Sequence, residues 1–345
     1  VAGPVVFYPA DMAESPARLT VPPTLREQGI DDAICWSIPM TTRFRRITVR
    51  DGVLLKGPAG WGEFSPFWDY DPPESSAWLR AALEVATSDY PRPLRDRVGV
   101  NVTVPVVSAE CAAQLVASSS CRTAKVKVAD PGTSLDQDVE RVAAVRDALG
   151  PGGMIRVDAN AAWDVPSAVD AIRRLDRAAN GLDYVEQPCP TQEDLAAVRR
   201  LVNVPIAADE LVRRVEDPLR IARSGAADLL IMKVQPLGGV RRCLELAEQA
   251  GLPVVVSSAL ESTVGLDAGI ALAASLPGTA HDGGLGTIRL FTGDLVSRSA
   301  IPTGGMLEVP ATRACPNPGL LARFAADPNL RSRWQHRLDA CAALL

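Results

Sequence analysis

From Gly99 onward the chain alternates two hydrophobic patterns. Short runs of β-branched and other apolar residues, at 99–104, 123–128, 154–158, 183–187, 206–209, 229–234 and 254–257, are followed by longer stretches in which apolar residues recur every three or four positions. Most of the runs lack the in/out alternation of a half-wet sheet, so they predict strands covered on both faces. Between them, Leu135, Val139, Val142, Val145 and Leu149 share one face of a helix that Gly150 or Gly152 ends. The sets Val169-Ile172-Leu175, Leu195-Val198-Leu201 and Val240-Leu244-Ala247 repeat that spacing. Seven or eight such units predict an α/β fold, a modified (β/α)8 TIM-type barrel. A doubly wound sheet fits less well, because no G-x-G-x-x-G follows the first strand.

Upstream the pattern changes. Residues 33–39, 44–49 and 52–55 read as short strands of a meander, and 57–64 as a glycine- and aromatic-rich loop. A helix follows over 75–86, with Ala77, Trp78, Ala81, Ala82 and Val85 on one face. Pro91 and Pro93 mark the end of this unit. The helical pattern of Leu320, Leu321, Phe324, Trp334, Leu338 and Cys341 needs a surface to cover, and the N-terminal unit is the nearest candidate. The predicted organisation is an α+β capping domain over 31–97, joined by 311–345, and a barrel over 98–310. Residues 1–30, with Pro4, Pro9, Pro16, Pro22 and Pro23, read as an extended or disordered leader, its first part an extension ahead of the fold.

Composition narrows the function. The 345 residues are 47% apolar, enough for a large core, and 36 basic against 41 acidic side chains leave a net charge of -5 without a basic face, which excludes nucleic acid as partner. Seven widely spaced cysteines with no C-x-x-C predict neither a disulfide framework nor a zinc site, and point to the cytoplasm. Two histidines give little support to histidine metal sites or a Ser-His-Asp triad; His281, in a glycine-rich loop, reads as solvated. No signal-peptide pattern and no run of 18 apolar residues is present, so no membrane partner is expected.

The charges that remain notable sit at the ends of the predicted strands: Lys125 and Lys127, Asp158 with Asn160, Glu186 before Gln187-Pro188, Asp209 before Glu210, and Lys233. In a barrel those ends form the catalytic face. Asp158, Glu186 and Asp209 lie about one strand–helix unit apart and converge. Three converging carboxylates repel one another, and a hard divalent cation resolves the conflict: oxygen donors suit Mg²⁺, with Mn²⁺ as substitute. Lys127 precedes the trio by one unit and Lys233 follows it. A free lysine, with a pKa of roughly 10.4, is a poor base at neutral pH, but burial and a neighbouring cation lower that value. Lys125, two residues from Lys127 on the same strand face, supplies the cation.

These residues, in this order, resemble the enolase superfamily, and in particular its muconate-lactonizing-enzyme-like subgroup. The carriers are Lys125-x-Lys127, Asp158 with Asn160, Glu186-Gln187-Pro188, Asp209-Glu210, and Lys233 followed by Pro236 and Gly238-Gly239. The resemblance covers the chain from about residue 30 and implies a cap closing over a barrel, Mg²⁺ on Asp158, Glu186 and Asp209, and lysine acid/base groups on both faces. The stretches at 60–64, 122–128, 186–189 and 256–262 are most similar to the o-succinylbenzoate synthases of actinobacterial type. That resemblance implies syn dehydration of a succinyl-hydroxycyclohexadiene carboxylate in menaquinone biosynthesis, with a small-molecule carboxylate as substrate. Lys127 is then base and acid, and Lys233 a cation beside the enediolate. Asn160 is a substrate contact or a turn cap, Ser257 and Ser258 meet a carboxylate or succinyl tail, and Arg43, with Arg45 and Arg46, is placed to reach the succinyl carboxylate from the cap, a solvated strand face being the alternative for two of the three. The loops 61–64 and 284–287 are expected to cover the pocket. Leu211 and Ala161-Ala162 depart from the Ser and Gly-Gly frequent in relatives and bear on substrate preference. An N-acylamino acid racemase or muconate-cycloisomerase-like enzyme is the alternative on the same site, and a non-catalytic binding relative the alternative of another class. Monomer and homo-oligomer are both compatible with the sequence.

Overall fold

The computed structural model describes residues 15–44, 46–214, 217–278 and 281–345. Near the N-terminus, strands Asp32–Phe44, Ile47–Gly57 and Gly60–Phe64 form an antiparallel meander, with Ala17–Arg18 paired along its outer edge. The helix Pro72–Thr87 covers one face. Its start is specified locally: Asp71 and Glu74 form a reciprocal capping box, and proline occupies the first turn. Strand and helix meet backbone to backbone at Gly62, where a Cβ would lie 2.0 Å from the carbonyl oxygen of Ala82.

The expectation of an extended or disordered leader is corrected for residues 15–30; residues 1–14 lie outside the described residues. Ala17, Leu19, Val21, Leu25 and Ile30 are all buried. Pro22 and Pro23 open the short helix Pro23–Glu27 instead of breaking structure, which proline tolerates at a first turn. The alternation of Ala17, Leu19 and Val21 is a strand signal that the surrounding prolines obscure.

The larger unit is a parallel sheet of seven strands, Val102–Val104, Thr123–Lys127, Met154–Asp158, Val185–Glu186, Ile206–Ala208, Leu229–Met232 and Val254–Val256, neighbours in sequence being neighbours in space. The ring is completed at Gly283 and Gly284. Gly283 donates its N–H to the Gly99 carbonyl (2.8 Å) and accepts from Asn101 (2.9 Å); Gly284 donates to Val256 (2.8 Å) and accepts from Ser258 (3.0 Å). A Cβ on Gly284 would sit 2.4 Å from the Ser257 hydroxyl, so glycine permits this close approach. The eighth position is thus a two-residue bridge without an apolar run, which is why strand periodicity does not find it.

Helix Thr263–Ser275 is buried on almost every side, consistent with its apolar sequence, since the cap strand Gly60–Phe64 packs against it. The C-terminal helix Pro328–Ala342 lies on the cap: Trp334 packs edge-on against Phe64 with ring centroids 5.7 Å apart, and its Nε1 donates to Asp51 (2.8 Å). Arg214, just after the fifth barrel strand, pairs with Asp69 (3.0 Å) and Glu74 (3.1 Å), joining barrel to cap. All seven cysteines are free thiols. Among the described residues no helix is long and apolar enough to cross a membrane.

Candidate active site

Because side chains alternate along a strand, Lys125 and Lys127 share a face, and so do Arg156 and Asp158. The register aligns the strand ends: Lys127 lies beside Asp158, and Asp158 beside Glu186. Asp209 follows the next strand directly. The Gln187 side-chain oxygen fixes its backbone by accepting from the N–H groups of Asp209 (2.9 Å) and Leu211 (3.3 Å). Lys233 directly follows the strand after that. The six charged groups come together as the sequence predicts, and all are buried, Glu186 completely.

Each carboxylate has a cationic partner. Lys125 Nζ lies 3.1 Å from both oxygens of Glu186 and 3.3 Å from Asp158 Oδ2. Lys127 Nζ bonds the same Asp158 oxygen and, at 2.8 Å, Asn160 Oδ1. Lys233 Nζ is 2.5 Å from Asp209 Oδ2, and Arg213 Nε is 2.9 Å from Asp209 Oδ1. Arg213 also holds Glu210 at 2.6 Å and donates to the Tyr70 hydroxyl of the cap.

Burial disfavours ionised Asp158, yet the ammonium groups of Lys127 and Lys125 outweigh it and hold this carboxyl well below the usual range. Asp209 behaves alike, with Arg213 and Lys233 opposing burial. Burial and then the neighbouring Asp158 push Glu186 upward. The lysines divide. For Lys125, burial is outweighed by Glu186 and Asp158, and its pKa rises. For Lys127, burial prevails over Asp158, the like charge of Lys125 acts in the same direction, and its pKa falls below the ordinary lysine value.

Three buried carboxylates at adjacent strand ends, two of them sharing the Lys125 ammonium and the third held by Lys233, offer only oxygen and match the donor chemistry of a hard divalent ion. Among the described residues no three acidic, histidine or cysteine side chains are set at metal-binding geometry, the lysine nitrogens being bonded to the carboxylate oxygens instead.

A cavity opens beside this cluster, and Lys127, Lys233, Asn160, Ser257 and Ser258 line it, with Gly284 and Thr287 from the closing segment. Asn160 bridges Lys127 to Glu210, its Nδ2 lying 3.3 Å from Glu210 Oε1. The N–H groups of Ser257 and Ser258 are committed to the carbonyls of Met232 (2.9 Å) and Gly284 (3.0 Å), which leaves the hydroxyls as the hydrogen-bond donors these serines can offer. Ser258 Oγ lies 2.6 Å from Thr287 Oγ1.

Three expectations are corrected. Arg43 is exposed and does not line the cavity; strand alternation turns the adjacent Phe44 inward, its ring 5.4 Å from Lys127 Nζ. Arg46 is also exposed, and Arg45 lies outside the described residues. The stretch at 61–64 belongs to a strand whose Phe64 packs on Trp334, and the cap residue that reaches the cavity is Phe67. His281 is half-buried and partnered rather than freely solvated: its Nδ1 is 3.0 Å from Asp183, which also binds Arg156 (2.8 Å), in a polar cluster at the opposite end of the strands. Phe44, Phe67 and Tyr70 had no local signal. Arg213 had one, since its four-residue spacing from Asp209 places the two within reach on a helical turn.

Residues 107–324 match the family described as enolase C-terminal domain-like, and 35–86 the one described as enolase N-terminal domain-like. An o-succinylbenzoate synthase of Thermobifida fusca is 55% identical over 308 residues, 89% of this chain and 95% of that protein. One from Mycolicibacterium smegmatis is 51% identical over 310 residues, 90% and 94% of the two chains. Among solved structures, the muconate lactonizing enzyme of Pseudomonas fluorescens complexed with muconolactone has a TM-score of 0.74 at 22% identity, covering 85% of this chain and 98% of that one. A dipeptide epimerase from Enterococcus faecalis, complexed with Mg and L-Leu-L-Tyr, has a TM-score of 0.68 at 21% identity, with the same coverage. These two share the fold: a parallel barrel with an α+β cap. By the extent of the family match and the identity to its relatives, the chain belongs to the enolase superfamily, within the o-succinylbenzoate synthase family.

Proposed function

We propose that this chain is an o-succinylbenzoate synthase, a hydro-lyase that removes water from 2-succinyl-6-hydroxy-2,4-cyclohexadiene-1-carboxylate to form o-succinylbenzoate for menaquinone biosynthesis. The observation that carries the reading is the placement of Lys127 and Lys233 beside one cavity, each paired to a different member of one buried carboxylate trio. The high identity to o-succinylbenzoate synthases over nine-tenths of the chain supports the substrate.

In this reading Asp158, Glu186 and Asp209 hold Mg²⁺, which supplies Lewis-acid stabilisation of negative charge on the substrate carboxylate. Mn²⁺ suits the same oxygen donors. Lys127, its pKa depressed by burial and helped by Lys125, takes the proton from the carbon bearing the carboxylate. The C–H electron pair moves into the carboxylate as an enediolate. Lys233 on the other side remains an ammonium and stabilises that charge. The pair then returns to the ring, the C–O bond to the hydroxyl breaks, and Lys127, now an ammonium on the same face, returns the proton so that water leaves. One new ring double bond and one water balance the step, and aromatisation drives it.

Asn160, hydrogen-bonded to Lys127, orients the base. The Ser257 and Ser258 hydroxyls are donors for the succinyl carboxylate, and Phe44 and Phe67 exclude water from the ring side. Seven free thiols suit a reducing cytoplasm. The trial of this reading is release of o-succinylbenzoate from its precursor, measured beside proton exchange into N-succinylamino acids. Exchange without dehydration would assign the site to a racemase instead.

A further inference from the structure

We propose that Arg50, on the second cap strand, is a positioning residue for substrate recognition: its guanidinium shapes the turn at 257–261 that forms one wall of the pocket. The inference rests on the substrate reading above, because the pocket is taken to hold the succinyl end of the ligand.

The turn is not self-sufficient. Ser257, Ser258, Ala259 and Leu260 line the cavity with Lys127 and Lys233, and Leu260 adopts φ +62°, a left-handed conformation disfavoured for a residue with a Cβ. Its shape is held from outside. Arg50 Nε donates to the Leu260 carbonyl at 2.9 Å and one terminal nitrogen to the Ala259 carbonyl at 3.3 Å. The same guanidinium donates to the carbonyls of Asp51 (3.0 Å) and Ser65, both in the cap. One side chain therefore ties the strained residue of the barrel wall to two points of the cap backbone.

It also registers the opposite, apolar wall. The Arg50 guanidinium carbon stands 4.3 Å from the centre of the Phe67 ring, and Phe67 lines the same cavity. Arg50 thus sets the spacing between the Phe67 ring and the polar turn, though it does not itself line the pocket. Around it lies a buried polar seam. Glu261 Oε2 accepts from the Ala259 N–H (2.7 Å), Glu63 accepts from Ser262 (N–H at 3.1 Å) and Ser65 Oγ (2.7 Å), and Gln235, two residues after Lys233, accepts from the Ser65 N–H (3.1 Å). Arg50 is 2% exposed.

A well-packed apolar side chain often matches or exceeds a buried ionic group in stability, so mere cohesion does not account for a buried arginine here. A guanidinium has the planar fork needed to serve several carbonyls at once; an ammonium at the same place reaches fewer of them. Arg50→Lys is therefore the informative change. It keeps the buried charge and loses the fork.

The test is calorimetric titration of full-length, Mg²⁺-loaded protein with o-succinylbenzoate, for wild type, Arg50→Lys and Arg50→Ala, with Mg²⁺ affinity measured separately on each. The expected result is about tenfold weaker o-succinylbenzoate binding in Arg50→Lys, a larger loss in Arg50→Ala that added guanidinium ion partly restores, and unchanged Mg²⁺ affinity. Equal o-succinylbenzoate affinity in all three proteins overturns the inference alone. So does a parallel loss of Mg²⁺ affinity, which marks a general structural role. A wild type that binds Mg²⁺ but no o-succinylbenzoate overturns the substrate reading, and this inference falls with it.

Discussion

Lys125 Nζ lies 3.1 Å from both carboxylate oxygens of Glu186, and both side chains are buried. An ammonium there is the main positive charge acting on Glu186, because Lys127 is bonded to Asp158 and Lys233 to Asp209. Removing it by Lys125→Met leaves Asp158 and Glu186 short of positive charge in a low-dielectric interior, a change that costs about 3–5 kcal/mol for a buried pair. The metal-free variant should therefore unfold at lower denaturant than wild type, and Mg²⁺ should raise its stability by more than it raises that of wild type. Urea unfolding with and without Mg²⁺ measures both. An equal Mg²⁺ response in the two proteins would show that Lys125 is not the counter-charge of the trio.

Arg213 holds Asp209 through Nε and reaches the cap through Tyr70, so it orients one carboxylate from behind. Partners of this kind commonly change metal affinity by about 10–100-fold. Arg213→Met should weaken Mg²⁺ binding by that factor in a calorimetric titration. An unchanged affinity would assign Arg213 to cap attachment only.

Glu63 provides a pH test away from the lysines. Burial is the main cause that lifts its carboxyl to about 7; Ser262 opposes this by hydrogen bonding, and Glu261 adds to it. The folded protein thus binds a proton that the unfolded chain releases near its ordinary value of 4.5. Stability from this group is present below that value, falls as pH rises through the window from there to about 7, and stays lost above it. Glu261, also raised chiefly by burial, acts in the same sense. Glu63→Gln should remove up to about 3 kcal/mol of this pH dependence and be at least as stable as wild type at pH 8. Denaturant midpoints across pH 4.5–8 decide it, and parallel curves for the two proteins would contradict the assignment.

The parts legible in sequence are those that depend on local pattern. Parallel strands buried on both faces produce apolar runs, and charges ending those runs stand out, so Lys127, Asp158, Glu186, Asp209 and Lys233 were readable as one layer. Gly283 and Gly284 complete the ring through backbone bonds alone and leave no hydrophobic trace. Arg50 owes its role to carbonyls more than 200 positions away, Ala259 and Leu260, which no local periodicity can announce. The inward position of Phe44 rather than Arg43 depends on a one-residue phase along an irregular strand with a register shift between Pro39 and Phe44. Cap contacts are the least legible part because they join segments distant in sequence.

Turnover of the succinyl-hydroxycyclohexadiene carboxylate by wild type and by Lys127→Ala, each with and without Mg²⁺, decides whether Lys127 is the base of a metal-dependent dehydration. Wild type should release o-succinylbenzoate only with the metal present, and Lys127→Ala, still folded, should lose about 10²–10⁴-fold in kcat. Wild type that exchanges the α-proton of N-succinylamino acids but releases no o-succinylbenzoate, or a Lys127→Ala protein that turns over like wild type, would contradict it.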